Sequence, residues 1–414
     1  TLSDAILAHG GEGQASRDAF AALSDSEQED VIEFMLSLGG RDQFSVGLVP
    51  PNTPIADVGT FGGPTRALDS DESAQFLRGR TLYDTEFGHA TGAGGLEGMD
   101  GGIRFNGDSC RACHFQPVLG GAGPRDVNVI RHGMVTEDGT FVNPLETPNS
   151  ILHSQSRVES PIPMPEGDTT FLGHRQTPHT LGLGLIGAIP DETIMANADP
   201  DDLDGDGISG RAHVLSDGRL GKYGWKADVP SIAEFVRDAM AAEIGLTVEA
   251  QDGLTFGITV DNDGVADPEL LASEAEDLAF FLEMLGGPPR QAAIDEAAAA
   301  DGEALFESVG CASCHIPVLT GSAGDAALYS DLLLHEILPE GQVSATSDQA
   351  TEREFRTAPL WGLSQTAPYM HSGLADTIEE AILLHDGEAV GVRDAFEALS
   401  DEDKANLLAF LDTL

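Results

Sequence analysis

The chain has 414 residues and carries 70 acidic against 21 basic side chains, a formal charge of −49, so polyanions are repelled and nucleic acid is a poor partner. Hydrophobic residues make up 41% and charged residues 22%, which supplies packed cores and argues against wholesale disorder. No run of about 18 apolar residues occurs, so no membrane span is expected, and a start at Thr1 without a signal-like stretch reads as a processed form or an excerpt.

The first element is a repeat. Residues 1–38 align without a gap with residues 377–414: Thr1-Leu-Ser-Asp-Ala-Ile-Leu-Ala-His9 mirrors Thr377-Ile-Glu-Glu-Ala-Ile-Leu-Leu-His385, and Arg17-Asp-Ala-Phe20 mirrors Arg393-Asp-Ala-Phe396. Each copy ends in a capped amphipathic helix. Ser24 and Glu27 form one capping box, ahead of Val31, Phe34, Met35 and Leu38; Ser400 and Asp403 form the other, ahead of Leu407, Phe410, Leu411 and Leu414. Residues 39–63 read as a linker. Phe76-Leu-Arg-Gly-Arg-Thr-Leu-Tyr83 is a helical segment that leads, through a glycine-rich insertion over 88–107, to Cys110-Arg-Ala-Cys113-His114.

Further along, Gly182-Leu-Gly-Leu-Ile-Gly187 satisfies GxGxxG, but Pro190 follows at once and no βαβ unit surrounds it, so a dinucleotide site is not expected. Two acidic loops, Asp202/Asp204/Asp206 and Asp261/Asp263/Asp267, have the alternating carboxylates of calcium loops without the terminal bidentate Glu of an EF-hand. Calcium is expected at each, with a polar turn as the plain alternative. A helix capped by Ser273 and Glu276 runs to Leu285 and stops at Gly286-Gly-Pro-Pro289, a domain boundary. Leu305, Phe306 and Val309 then line one helical face before Cys311-Ala-Ser-Cys314-His315.

The chain's four cysteines all fall in the two CxxCH motifs, the signature of c-type haem attachment. Two thiols two residues apart can add to the two vinyl groups of one porphyrin, and the next residue then offers its imidazole to the iron from below. A single zinc site built from both pairs leaves the adjacent histidine unexplained twice. A thioredoxin-like CxxC lacks its βαβ context, and disulfides within the pairs are disfavoured on the same grounds. Two covalently bound haem c groups are therefore expected, held by Cys110, Cys113 and His114 and by Cys311, Cys314 and His315. The opening residues 1–38 become the orphan tail of a cytochrome-c-like domain, followed by a first haem domain over 64–289 and a second over 290–414. The expected fold is mainly α, with long irregular loops. Thr177-Pro-His-Thr-Leu-Gly-Leu183 echoes Thr357-Ala-Pro-Leu-Trp-Gly-Leu363, each downstream of its CxxCH, which points to duplication.

With these motifs in view, Arg104-Phe-Asn-Gly-Asp-Ser-Cys-Arg-Ala-Cys-His114, Ile189-Pro-Asp-Glu-Thr-Ile194, Asp204-Gly-Asp-Gly-Ile-Ser-Gly-Arg211, Tyr223-Gly-Trp-Lys-Ala227 and Pro368-Tyr-Met-His-Ser-Gly373 resemble the dihaem oxidoreductase family. That family is sometimes labelled thiol-oxidoreductase-like and is related to bacterial dihaem cytochrome c peroxidases. The resemblance implies that His385 is the distal ligand of the second haem, with His371 and then Met370 as rivals. Counting from Glu192-Thr-Ile194 in the first half gives Asp201 where the second half has His385, so the first iron is expected to be open. His132, His153, His174, His179, or His9 from another copy, are alternatives for filling it. Glu192 is the candidate distal acid, against the plainer reading of a helix-start carboxylate. Trp225 is a candidate relay between haems, or a core aromatic.

The expected function is an exported dihaem oxidoreductase of peroxidase type, periplasmic or extracellular, served by a redox partner protein or a small electron donor. The alternative is a non-enzymatic electron carrier or a subunit of an extracellular multihaem conduit, in which His9 would contact a neighbouring haem domain or subunit. With only Lys222, Lys226 and Lys404 as lysines, the acidic surface suits either high salt or an ordinary secreted protein.

Overall fold

The computed structural model describes residues 6–8, 10–24, 26–28, 31–32, 47–50, 52–88, 104–137, 140–142, 151–153, 155–156, 171–261 and 264–414. The chain divides into two compact units, Thr1–Val46 and Gly47–Leu414. In the smaller unit a 3₁₀ turn at Gly11–Gly13 runs into α1 (Gln14–Ala21), whose Phe20 is buried. Ser24 and Glu27 make the expected capping box, the Ser24 N–H donating to Glu27 Oε2 at 2.8 Å. His9 lies outside the described residues.

The larger unit is organised by two helix pairs. α2 (Ser70–Asp84) starts at Asp69, whose carboxylate accepts from the Asp71 and Glu72 N–H groups while Glu72 reaches back to the Asp69 N–H. The chain then passes the first CxxCH, followed much later by α3 (Ile232–Ala239), which tightens into a π-helical turn at Met240–Ile244, and by α4 (Ala272–Met284), which packs back on α2. The second pair repeats this plan. α5 (Glu296–Val309), capped by Asp295, leads directly into the second CxxCH. After α6 (Ile378–Leu383) and α7 (Val390–Glu397), α8 (Asp401–Leu411) packs against it. The 3₁₀ turn Gly387–Ala389 followed by α7 matches Gly11–Gly13 followed by α1 in the frame of the sequence repeat.

Each pair crosses at a glycine. A Cβ at Gly79 would stand 2.0 Å from the Asp277 carbonyl oxygen and 2.6 Å from Phe281 Cβ; at Gly302 it would stand 2.0 Å from the Asn406 carbonyl oxygen and 2.7 Å from Phe410 Cβ. The two helices touch backbone to backbone there, and only a residue without a side chain permits it. The aromatics line up in the same way, Phe76 on Phe281 at 5.0 Å and Phe306 on Phe410 at 5.5 Å between ring centres. These rings anchor the two buried clusters, each large side chain contributing roughly 1.5–3 kcal/mol when removed from water.

The fold departs from a mainly helical one between the first CxxCH and α3. There β1 (Val129–Val135) pairs antiparallel with β2 (Phe141–Val142), β3 (Ile151–Leu152) and β4 (Phe171–Arg175). A further ribbon joins β5 (Leu334–Glu336) to β6 (Glu354–Arg356), placing Phe355 opposite His335. These strands are mostly two to five residues long, too short for alternation to stand out in a sequence. A second correction concerns α4. Its start is Leu271, whose N–H donates to Glu274 Oε2 at 2.9 Å, in place of a box at Ser273 and Glu276; Glu276 instead accepts from Gln251 Nε2 at 2.8 Å. Glu249 already accepts the Ala272 N–H, so the helix gains a turn's start that Ser273 alone could not signal.

Candidate haem sites

Both CxxCH motifs form a single 3₁₀ turn, Cys110–Ala112 and Cys311–Ser313, that closes with the histidine N–H donating to the first cysteine's carbonyl at 3.0 Å. None of the four cysteines is in a disulfide. Among the described residues the two pairs do not gather into one metal site, and burial pushes the Cys110 thiol up to about 12.

In the second site His315 Nδ1 donates to the Tyr329 carbonyl at 2.9 Å, and His385 Nδ1 to the Ala381 carbonyl at 2.7 Å. Anchoring Nδ1 fixes the tautomer and presents Nε2 as the ligand atom. The two rings lie with centres 6.4 Å apart and planes at 66°. Imidazoles that bind one metal from opposite sides at about 2 Å each hold their ring centres roughly 6 Å apart, so the gap suits one iron. Burial, and then the neighbouring His385, holds His315 down at about 4, which keeps it a neutral donor. His371 does not face His315. It stacks on Phe355 at 3.9 Å, and its carbonyl accepts the Gln176 N–H from the first half at 2.8 Å.

In the first site burial lowers His114 to about 4. The carbonyls of Pro178 and Gly121 lie beside the ring and offset part of that effect, although neither accepts a normal hydrogen bond from Nδ1. Of the histidines that sequence could not choose among, His174 is exposed, His132 is buried in β1, and His153 is bonded through Nε2 to the Ala242 carbonyl at 2.9 Å. His179 lies close enough to His114 to disfavour its charge, and burial holds His179 itself down at about 4. The residue before it, Pro178, supplies the carbonyl beside the His114 ring.

Glu192 is exposed in the first turn of the one-turn helix Asp191–Met195. A group that moves protons at a bound substrate must face inward, so the helix-start reading is the one this position fits. The fold buries a different carboxyl beside the first attachment loop. Glu243 sits on the π-helical turn, its carbonyl accepting the Asn106 and Gly107 N–H groups and its carboxyl accepting Asn106 Nδ2 at 2.8 Å. Gly107 itself lies against Cys113, 3.8 Å from its Sγ to the nearest side-chain position. Burial raises the Glu243 pKa, with Asn106 and Arg131 opposing. The sequence signal was slight: one acid flanked by Ala242 and Ile244 at the end of an apolar helix.

Beside the second site, His335 is held between two carboxylates, Nε2 to Asp331 at 2.8 Å and Nδ1 to Glu388 at 3.1 Å, with Cys314 Sγ 3.7 Å away. Cys314, Asp331 and His335 are close enough together to hold a metal, but both imidazole nitrogens are already engaged and Cys314 belongs to the CxxCH turn. Trp225 joins the halves: its indole N–H donates to the Gln176 carbonyl at 2.8 Å, and its carbonyl accepts the Arg356 N–H at 2.8 Å.

The acidic loop Asp202/Asp204/Asp206 gathers three carboxylates within ligand reach of one another. Each also accepts a backbone N–H, from Gly207, Asp206 and Ile208 respectively, which is ordinary polar-turn bonding. In the other loop Asp263 lies outside the described residues, which include Asp261 and Asp267.

Two CxxCH turns, each beside a glycine-crossed helix pair, are the arrangement expected of a dihaem protein. Residues 166–414 match the family described as "Di-haem oxidoreductase, putative peroxidase", and the chain belongs to that family. It is 31% identical over 119 residues to the cytochrome c551 peroxidase of Pseudomonas aeruginosa (27% of this chain, 32% of that protein) and 37% identical over 75 residues to the cytochrome-c peroxidase IdrP2 of a Pseudomonas species (18% and 20%). The chain thus spans about a third or less of the length of the curated relatives it matches. The diheme peroxidase BthA from Burkholderia thailandensis superposes with a TM-score of 0.41 at 15% identity, covering 89% of this chain and 94% of that one.

Proposed function

We propose that this chain is an exported dihaem c-type oxidoreductase that reduces peroxide, with unlike roles for its two sites. The reading rests on one asymmetry: His315 has a second imidazole ring, His385, at iron-spanning distance, whereas among the described residues the ring paired with His114 is that of Tyr83, 6.3 Å away between centres. Cys110 and Cys113, and Cys311 and Cys314, would carry thioether bonds, with His114 and His315 as axial donors. The buried, unpartnered Nδ1 of half-buried His114 and the anchored Nδ1 of His315 both fit such a role.

The bound haems supply one-electron storage and peroxide reduction. The protein supplies the rest. His315, held down at about 4 by burial and by His385, and His385, whose pKa burial also lowers, would hold one iron between them and suit it to electron entry from a donor protein or small reductant. Glu243, its pKa raised by burial against the opposing Asn106 and Arg131, would exchange a proton beside the first site; peroxide reduction consumes two protons and two electrons. Trp225 spans the halves where an electron would pass. Attachment of haem c implies a periplasmic or extracellular location. Calcium at Asp202, Asp204 and Asp206 would tie that loop, a role tested by a shift in melting temperature on chelation.

The deciding experiment is a ferric spin-state spectrum of the holoprotein with and without peroxide. One high-spin and one low-spin haem, with the high-spin signal lost on adding peroxide, is the expected result. Two low-spin bis-histidine signals and no turnover would instead make the chain an electron carrier.

A further inference from the structure

Arg356 is the last residue of β6, in the half of the chain that carries the second haem, yet it is bonded to the first half. Its N–H donates to the Trp225 carbonyl and its Nε donates to the Gly224 carbonyl at 3.0 Å. Its surroundings come from both haem sites. It is close enough to His179 to oppose a charge there, and His179 in turn is beside His114. On the other side it feels Asp331, whose N–H donates to the Cys314 carbonyl. The guanidinium is therefore within electrostatic reach of groups beside both attachment turns, on a residue whose backbone and Nε bond the Gly224–Trp225 stretch.

Its nearest carboxylates are spent elsewhere. Asp331 accepts from His335 and from the Leu333 N–H, and Asp228 accepts from Ser347. Arg356 Nη1 is buried and has no partner among the described residues. Two more cations are buried nearby, Arg175 and Lys226, both packed over the Phe355 ring. They are better satisfied: Arg175 bonds Ser344 and the Ala345 carbonyl, and Lys226 bonds the Thr351 and Glu354 carbonyls at 2.6 Å each. A buried guanidinium with an unmet donor costs several kcal/mol unless an anion reaches it. A chain with 70 acidic residues could have placed one of its own there. The matching ligand is a planar carboxylate, which a guanidinium binds with two parallel N–H bonds, and a haem carries two such groups on the edge away from its thioethers.

We infer that Arg356 binds a haem propionate and so sets the electron affinity of the haem that supplies it. The inference rests on the two-haem reading, which a count of bound haems tests separately. A positive charge at the propionate favours the reduced iron, which carries one more electron.

The test uses the holoproteins Arg356→Met and Arg356→Lys, with haem counted by intact mass and midpoint potentials followed by spectroelectrochemistry. Both variants should retain two haems. Arg356→Met should lower the reduction equilibrium constant of one haem about tenfold, which for a one-electron couple is 59 mV, and Arg356→Lys should restore most of that. Which haem shifts identifies the source of the propionate. Potentials in Arg356→Met equal to wild type overturn the inference. If Arg356→Met does not fold, a crystal structure of the wild-type holoprotein decides: a propionate oxygen on the guanidinium supports the inference, and a guanidinium bound by protein and water alone overturns it. A wild-type protein with fewer than two haems would sink the two-haem reading instead.

Discussion

At the scale of single residues, His385 and Glu243 carry the functional division between the sites. Replacing His385 by Ala removes one of the two imidazoles whose ring centres lie 6.4 Å apart, so the ferric spectrum should change from one low-spin haem to none while both haems stay attached. Glu243→Gln should lower peroxide turnover by about 10²–10⁴ with haem content and spin state unchanged, whereas exposed Glu192→Gln should leave turnover within twofold in the same steady-state assay. The six cysteines and histidines of the two attachment turns, and His385, were readable because chemistry fixes their spacing or a repeat preserves their frame. Glu243 and Arg356 were not, since a buried charge looks like any other charge until the fold surrounds it.

Among elements, the glycine crossings set the sharpest demand. Gly302→Ala gains helix propensity worth about 1 kcal/mol but drives a methyl into the Asn406 carbonyl. Overpacking of this kind should destabilise the protein by about 1–3 kcal/mol, measured as a lower denaturant midpoint, and Gly79→Ala should do the same through Asp277. β5 is tied to the Gly387–Ala389 turn by His335 and Glu388. Burial alone would lower the His335 pKa, but hydrogen bonds to Asp331, Cys314 and Glu388 overcome it and hold it up at about 12. A folded pKa above the unfolded value of about 6.5 gives stability that is full below that pH and fades as pH rises toward 12. Wild type should therefore lose stability to denaturant across that alkaline window, and His335→Gln should lack this component of the loss. Helices were legible from their caps and apolar faces. Strands of two or three residues were not, because pairing partners far along the chain define them, and the shifted start of α4 depends on Glu249, more than 20 residues upstream.

The whole molecule is dominated by its charge of −49. Self-repulsion over such a surface is screened as the Debye length falls from about 10 Å at 0.1 M salt to about 3 Å at 1 M. Stability should therefore rise with sodium chloride, on the order of 1 kcal/mol or roughly 2–4 °C in melting temperature, by calorimetry at the two concentrations. Duplication was visible in the paired motifs, but the way the copies interlock was not, because loops join them rather than any helix or strand with a period of its own. Gln176 bonds the His371 carbonyl, Asn128 the Ser372 carbonyl, and Arg125 the Gly373 and Leu374 carbonyls.

That seam makes the two halves interdependent. Backbone carbonyls of one half are partnered by groups of the other, so a chain cut near Gly287 would yield two fragments each missing contacts that only the other can furnish. Because every acceptor in the loop over 371–374 is a main-chain oxygen, the seam constrains that loop's backbone path rather than its side chains, and places the burden of recognition on Arg125, Asn128 and Gln176.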